Sequence, residues 1–524
     1  MAKQKRVAII GYSYRLPGSS PADFWSALLA GKDLVTQVPA DRWAQDSYWH
    51  PQKSHPGTSY TFAAGSIGDI SGFDAAFFGI SPREAAQMDP QQRLLLELSW
   101  EALENAGIRP SALRGSGCGV FIGISSVDYS FRFVEDLAAT EPAAATGTAN
   151  SISANRISYA LELPGPSMSI DPACSSSLIA FHLACRSIAT GESVQAITGG
   201  VSLHMHPYGF VTFSKASMLS QKGRCNVFDA AGDGYVRSEG AGIFVLKDHD
   251  QALADGDPII AVVAGSATNS DGRKSGLTVP SINAQVALLE QAYADAGIKP
   301  SDIDYVEAHG TGTAVGDPVE THALGIALGQ HRSRDNPLLI GSVKSNIGHL
   351  EAASGAAGLI KALHSIENRA VPATIHLRNP NPNIRFDEWN LRVLTAATPL
   401  KQEGRLVLGV NSFGFGGANA HVILESPDAP RDCGMPQPDR AVPLLVSGKS
   451  PAALKNAAGN MAAFLRDPAN NAALCDIAYS SIFHRDWHDH RALLFAGDKA
   501  SLADALQAFA ENAATKLPLE TGAA

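Results

Sequence analysis

Residues 167–185 read S-M-S-I-D-P-A-C-S-S-S-L-I-A-F-H-L-A-C. An apolar strand ends at Ile170, a sharp turn follows, and a helix begins, with Cys174 at the join. Unpaired backbone N–H groups and the positive end of the helix dipole gather at a helix start. Both favour a thiolate, so the position predicts an activated nucleophile. Ser175, Ser176 and Ser177 suit a first turn and are small enough to let a substrate approach. A buried core cysteine is the competing reading, because free cysteines are mostly core.

Working outward, strand and helix patterns alternate on both sides of this stretch. V-A-I-I-G-Y (7–12) reads as a buried strand. One long helical pattern spans 82–107, and G-V-F-I-G-I-S (119–125) is the next strand. The helix ends on A-L-E-N-A-G-I-R-P-S (102–111), and A-Y-A-D-A-G-I-K-P-S (292–301) repeats that ending 190 residues later. Gly suits the residue after a helix and Pro stops the helix. A strand follows each copy, so duplication of a whole α/β half is expected, with a chance repeat of a common helix stop as the alternative. In the second half, L-L-I-G-S-V-K-S-N-I-G-H-L-E-A-A-S-G-A-A-G-L-I-K-A-L (338–363) is again strand, turn and small-residue helix. The alternation predicts a mainly parallel sheet covered on both faces, with the two small-residue helices packed together. R-L-V-L-G-V-N-S-F-G-F-G-G-A-N-A-H-V-I-L (405–424) reads as two strands joined by a glycine-rich turn. Residues 427–441 carry four prolines and read as a linker. A small α/β unit follows over 442–512, and 513–524 reads as a frayed tail. The two main halves are expected at 1–255 and 256–426.

The chain has 524 residues, 45% hydrophobic and 18% charged, with net charge −10. Such acidity argues against a nucleic-acid or anionic-membrane surface. Six cysteines without a C-x-x-C pair form neither a disulfide framework nor a zinc site, which points to a reducing compartment. The start M-A-K-Q-K-R-V-A-I-I-G is no signal peptide, and no apolar run approaches 18 residues. His484, His488 and His490 have metal-like spacing but no acidic or Cys partner at ligand spacing.

Three further stretches carry chemistry. H-G-T-G-T-A-V-G-D-P-V-E (309–320) puts His309 at a strand end, then Gly310 and Gly312 for close approach and Thr311 and Thr313 for hydroxyls. Asp317 and Glu320 read as dipole-complementing acids at a helix start. K-S-N-I-G-H (344–349) puts Lys344 five residues before His349, where its charge keeps an imidazole neutral. N-S-F-G-F-G-G (411–417) has the backbone freedom to aim amides into a cleft as an oxyanion hole. Each has a bland structural alternative. A Cys–His hydrolase needs one histidine and an orienting Asn or Asp. One cysteine with two histidines fits thioester acyl transfer with an enolate held by two imidazoles.

With these motifs the chain resembles the β-ketoacyl synthase (ketosynthase) domains of type I polyketide synthases, of the thiolase superfamily. D-P-A-C-S-S-S-L, H-G-T-G-T, K-S-N-I-G-H-L-E-A-A-S-G, D-P-Q-Q-R-L-L-L-E, G-D-G-Y-V-R-S-E-G and N-S-F-G-F-G-G-A-N carry the resemblance over residues 5–426. It implies a thiolase-like αβαβα layered α/β fold of two duplicated halves, and a homodimer. It implies Cys174, His309 and His349 as catalytic and Lys344 as their support. The amides of Cys174 and Phe415 would form the oxyanion hole, and Thr311, Thr313 and Phe415 would contact substrate. The implied reaction is decarboxylative condensation of a Cys-bound acyl chain with malonyl- or methylmalonyl-carrier protein. No cofactor or metal is implied on this chain; the phosphopantetheine arm belongs to a partner acyl carrier protein. Residues 440–512 resemble the linker domain that leads to an acyltransferase, so the chain is expected to be a piece of a longer cytoplasmic synthase. The lack of a coiled-coil segment before Val7 suggests that the parent polypeptide begins here. Pro172 replaces the usual Thr and Ser238 a usual Gly, and the opening G-Y-S-Y-R-L-P-G lacks the usual Cys. The elbow is expected to survive Pro172, with substrate preference open to change. A coenzyme A thiolase is disfavoured because 411–417 has no second cysteine. A non-catalytic scaffold is disfavoured because the cysteine and both histidines are present.

Overall fold

The computed structural model describes residues 6–18, 21–428, 441–512 and 519–523. Contacts divide the chain into two compact units, one of 1–73, 83–102 and 115–428, the other of 74–82, 103–114 and 429–524. The second unit therefore takes in two short earlier stretches as well as the expected C-terminal region. The proline-rich linker read at 427–441 lies mostly outside the described residues.

In the large unit the first half contributes β1 (Val7–Arg15), β2 (Gly119–Gly123), β3 (Ser167–Ile170), β4 (Gln195–Ser202) and β5 (Gly240–Asp248). The second contributes β6 (Ala261–Ser270), β7 (Tyr305–Glu307), β8 (Leu338–Gly341), β9 (Leu391–Val393), β10 (Val407–Phe413) and β11 (Ala418–Glu425). Their order is β9-β8-β7-β10-β11-β6-β1-β5-β4-β2-β3. Setting β9 aside, each half runs third-second-fourth-fifth-first, so the duplication expected from the repeated helix endings is present in the topology. β1 joins the halves by pairing Val7 with Val263 and Ile9 with Ala261.

The sheet is mixed, where a mainly parallel one was expected. β2 pairs parallel with β3 and β4, and β7 with β8 and β10. β5 is antiparallel to β1 and β4, and β11 to β10 and β6. The reason for the second half is local: a tight turn at 414–417 joins β10 to β11, and a tight turn makes a hairpin, not a crossover.

The connecting helices are α1 (Pro90–Asn105), α2 (Asn150–Leu161), α3 (Ser176–Thr190), α4 (Ile282–Ala296), α5 (Gly316–Ala327) and α6 (Ser354–Glu367). α1 and α4 end as the repeat predicted, with Gly107 at φ +70° and Gly297 at φ +65°. The long pattern read over 82–107 is broken. A short helix Pro82–Gln87 stops before Asp89, whose carboxylate accepts the Gln91 N–H at 2.8 Å and starts α1 with Pro90 in its first turn. A residue preceding proline is disfavoured in the helical region, which puts the break at Asp89.

α3 and α6 are the middle layer, each touching strands of both halves and each other. α2 packs outside the first half, and α4 and α5 outside the second. α6 is buried on every side from Ser354 to Leu363, as a helix between two sheets must be. The small residues make this possible: a Cβ on Gly355 would lie 2.8 Å from that of Leu178 on α3. One charge is enclosed, Lys361, paired at 2.8 Å with Glu307 of β7.

In the small unit β12 (Val442–Gly448), β13 (His490–Ala496) and β14 (Leu519–Ala523) form an antiparallel sheet. It packs with α7 (Pro451–Arg466), α8 (Leu474–Phe483) and α9 (Lys499–Ala510) around Leu444, Leu494, Ala458 and Leu502. Of the tail expected at 513–524, residues 519–523 form β14 and the remainder lies outside the described residues. Residues 519–523 have little strand propensity of their own; they are ordered by pairing along the edge of β13. His484 bonds the Gly107 carbonyl and His488 packs against Phe77. No metal-binding cluster occurs among the described residues.

Candidate active site

After β3 the chain turns through Asp171, whose carboxylate accepts the Ala173 N–H at 3.0 Å and the Ser125 hydroxyl at 2.8 Å. Ala173 takes φ +56°, a left-handed conformation costing about 1 kcal/mol for a residue with a Cβ. The elbow lifts Cys174 out of the strand direction just before α3. Two hydroxyls from the second half hold the Cys174 carbonyl, Ser354 at 3.0 Å and Ser412 at 2.9 Å. The three serines are fully buried and do not open the site to substrate, contrary to expectation. Ser175 bonds the Ala418 carbonyl at 2.8 Å, Ser176 the Ala173 carbonyl at 2.6 Å, and Ser177 accepts the Ala356 N–H at 3.0 Å. Ser175 and Ser177 fasten the elbow to the other half, and Ser176 braces the elbow itself. The elbow is formed with Pro172 in place, and Pro172 does not line the cavity. Its carbonyl is where the 411–417 turn packs, so that a Cβ on Gly414 would come within 2.5 Å of it.

Cys174, His309 and His349 line one cavity of about 370 Å³, with Thr311, Thr313 and Phe415. The two imidazole rings stand edge-on, centroids 5.4 Å apart. Each Nδ1 accepts a backbone N–H, from Phe413 at 3.3 Å for His309 and from Glu351 at 2.9 Å for His349. An accepting Nδ1 leaves the proton of a neutral ring on Nε2. Burial first, then the Lys344 charge, drives both rings well below the usual histidine range, so both are neutral Nε2–H donors at pH 7.

Burial outweighs the helix dipole at the cysteine. It pushes the Cys174 thiol up to about 12, Glu351 adding to the rise, while the amides of Phe415 and Cys174 and the Lys344 charge pull it back. The resting group is a thiol, where the sequence position predicted a thiolate. Both amides act on the sulfur, as an oxyanion pair beside it would. Phe415 is 45% exposed and packs edge-on against Phe213.

Asp317 and Glu320 on α5 do more than complement a helix dipole. Glu320 accepts the N–H groups of His309 at 2.7 Å and Gly310 at 2.8 Å, and the Asn411 amide at 2.8 Å. Asp317 accepts those of Thr311 and Gly312, both at 3.1 Å. Together they shape the loop that carries His309 and the two threonines. The threonine hydroxyls lie 3.1 Å apart. Lys344 is buried and absent from the cavity wall. Desolvation lowers its pKa, and Glu307 and Glu320 oppose that. Glu307 also accepts the Val343 N–H at 2.6 Å, fixing the turn from which Lys344 projects.

Several site residues have no role that sequence grounds alone suggest. Glu351 pairs with Arg237 through bonds of 2.5 and 2.7 Å, and Arg237 lies 4.7 Å over the Phe210 ring. The Tyr235 ring lines the cavity 5.1 Å from His349. The backbone of His349 is held by Val236 and Ser238. The Ser238 hydroxyl accepts the Gly65 N–H at 2.9 Å, so the serine in a usual glycine position gains a tether. Glu351, Tyr235, Val236, Arg237 and Ser238 sit inside the quoted motifs, but separations of about a hundred residues hide who meets whom.

The chain matches the beta-ketoacyl synthase N-terminal domain over 4–252, its C-terminal domain over 260–378 and the ketoacyl-synthetase C-terminal extension over 380–494. A phenolphthiocerol/phthiocerol polyketide synthase polypeptide of Mycobacterium tuberculosis is 43% identical over 96% of the chain. An erythronolide synthase of Saccharopolyspora erythraea is 42% identical over 97%. The chain spans only 27% and 14% of those two proteins. Among solved structures, an oxazolomycin ketosynthase domain of Streptomyces albus superposes with TM-score 0.93 at 35% identity, over 99% of this chain and 90% of that one. The ketosynthase from module 6 of the bacillaene synthase of Bacillus subtilis gives 0.90 at 35%, over 99% and 87%. With the cysteine elbow, the paired histidines and the duplicated layers in place, the chain belongs to the β-ketoacyl synthase family, as a ketosynthase domain of the polyketide synthase type.

Proposed function

We propose that this chain condenses a Cys174-bound acyl group with a malonyl or methylmalonyl unit to give a β-ketoacyl thioester. The observation that carries this reading is the pair of neutral Nε2–H histidines beside a thiol in one cavity. In the first half-reaction the Cys174 sulfur attacks an acyl thioester on the phosphopantetheine arm of a carrier protein. The new thioester forms as the old one breaks, and the thiol proton leaves with the released arm. With Nε2 already protonated, neither histidine has a lone pair facing the sulfur to serve as base. The amides of Cys174 and Phe415 stabilise the tetrahedral oxyanion, an effect typically worth about 3 kcal/mol per donor. Thr311 and Thr313 line the approach of the arm.

In the second half-reaction the bond from the malonyl carbon to its carboxylate breaks and carbon dioxide leaves. The electron pair moves onto the thioester carbonyl, whose oxygen accepts the Nε2–H of His309 and of His349. The enolate carbon then attacks the acyl-Cys174 carbonyl, and the sulfur departs and regains a proton. Lys344 keeps the imidazoles neutral by its charge and supports the departing sulfur.

The partners are an acyl carrier protein and the acyltransferase domain of a longer parent synthase. A homodimer is supported by β3, one of the two edge strands of the sheet, with Met168 41% exposed on it and Tyr159 84% exposed on the neighbouring α2. A cytoplasmic setting is supported by five described cysteines that are all free. No helix among the described residues is long and apolar enough to cross a membrane. The test is to supply an acyl carrier and a malonyl carrier and weigh the carriers by mass spectrometry. Chain elongation with loss of carbon dioxide is expected; acylation of Cys174 without elongation by any malonyl-type unit overturns the reading.

A further inference from the structure

One wall of the active-site cavity is built by the loop from Asp271 to Pro280 and the first turn of α4. With one exception, its buried polar groups are paired. Asp271 holds Lys274 at 2.7 Å and the Asn419 amide at 2.8 Å, and Asn419 also bonds Asn269 at 3.1 Å. Gln285 is the exception. It lines the cavity, is only 2% exposed, and its side-chain carbonyl Oε1 has no hydrogen-bond partner. No other cavity-lining residue has such an orphaned polar side-chain atom among the described residues. A buried acceptor left unpaired forfeits its hydration with nothing in return. The neighbours Thr278, Val279 and Pro280 bring two apolar side chains and one hydroxyl to the same wall, and that hydroxyl does not reach Oε1.

We infer that Gln285 is a substrate-binding residue whose Oε1 accepts a hydrogen bond from an N–H or O–H carried by the thioester substrate. This rests on the condensing reading and deepens it by naming a contact in the same cavity. Two parts of an acyl thioester supply such a donor: the pantetheine arm, through its amide N–H and hydroxyl groups, and a hydroxyl on the acyl chain. An unsubstituted acyl chain on ethanethiol supplies neither. A site that holds an unpaired acceptor discriminates strongly against ligands lacking the donor, because binding them buries the acceptor for good.

The test compares wild type with Gln285→Met, which keeps length and removes the acceptor. kcat/KM for acylation of Cys174 is measured by intact-protein mass with butyryl-pantetheine, 3-hydroxybutyryl-pantetheine and the butyryl ester of ethanethiol. A loss of tenfold or more on both pantetheine esters but not on the ethanethiol ester supports the inference, with the arm as donor. A loss confined to the 3-hydroxybutyryl ester supports it, with the acyl hydroxyl as donor. Equal rates within twofold on all three, or an equal loss on all three, overturn it. Alkylation of Cys174 by iodoacetamide reports whether the elbow is intact. If the Met variant does not fold, Gln285→Asn, which withdraws the carbonyl by one carbon, is read by the same criteria. Failure of wild type to be acylated by any ester refutes the condensing reading instead.

Discussion

Ala173–Ser175 and Glu351–Ala353 are the same turn in the two halves. Each follows the third strand of its half, is one turn of 3-10 helix, and opens on a residue with positive φ, Ala173 at +56° and Glu351 at +48°. Each runs into a middle-layer helix, α3 from Ser176 and α6 from Ser354. In the first half the second residue of the turn is Cys174; in the second half it is Ala352, fully buried. The second elbow serves the site in another way. Its Glu351 N–H fixes the His349 tautomer and its carboxylate holds Arg237. The strained turn is thus a property of the duplicated fold, and on the proposed reading nucleophilic chemistry depends on what surrounds it: the Phe415 amide, Lys344 and the two imidazoles.

The sharpest way to break this comparison is to move the thiol. Cys174→Ala abolishes acylation and lowers condensation by at least about 10⁴-fold, as removal of a covalent nucleophile does. Adding Ala352→Cys to that variant restores nothing. Acylation of the second elbow, seen as a mass shift on that peptide, would refute the claim that surroundings decide.

A smaller effect comes from Glu351. Glu351→Ala leaves the Arg237 guanidinium buried without its carboxylate and destabilises the protein by about 3 kcal/mol in urea unfolding. The backbone N–H to His349 persists, so condensation measured well below the unfolding midpoint falls less than for loss of the histidine itself.

Protonation gives two pH tests of opposite sign. With its pKa near 12, the Cys174 thiol is alkylated by iodoacetamide about tenfold faster for each pH unit between 7 and 10, without a plateau. A plateau below pH 9 would mean a resting thiolate. His309 and His349 have folded pKa values below the unfolded value of 6.5. The unfolded chain therefore binds protons that the folded chain does not, and stability present above pH 6.5 is lost as pH falls below it. Replacing either with Gln flattens that decline between pH 6.5 and 5.

The smallest effect is expected at Pro172. It borders the elbow but not the cavity, so Pro172→Thr changes stability by less than about 1 kcal/mol and leaves acyl-chain preference within about twofold. A switch in preferred chain length would show that this position reaches the substrate.

Much of this site is legible in the sequence because its parts are local motifs. Cys174, His309 and His349 each follow a strand end with small residues after it, and the A-G-I-x-P-S endings expose the duplication. What stays hidden depends on contacts between distant segments. Arg237 and Glu351 meet only because β5 and the second elbow converge, and Glu320 shows its grip on His309 only once α5 is folded. Antiparallel pairing in each half leaves no periodicity that differs from parallel pairing. The high thiol pKa is hidden too, because a sequence reveals a helix start but not the desolvation around it.

The central claim is a division of labour: Cys174 takes the acyl group and the two histidines serve the enolate. It is tested most directly by measuring both half-reactions on one preparation, acylation of Cys174 by mass and carbon dioxide release from a malonyl carrier. In the double variant His309→Ala, His349→Ala, acylation is expected to stay within about tenfold of wild type while carbon dioxide release falls by at least about 10³-fold. Loss of acylation in step with decarboxylation would contradict the account, because the histidines would then be acting on the thiol.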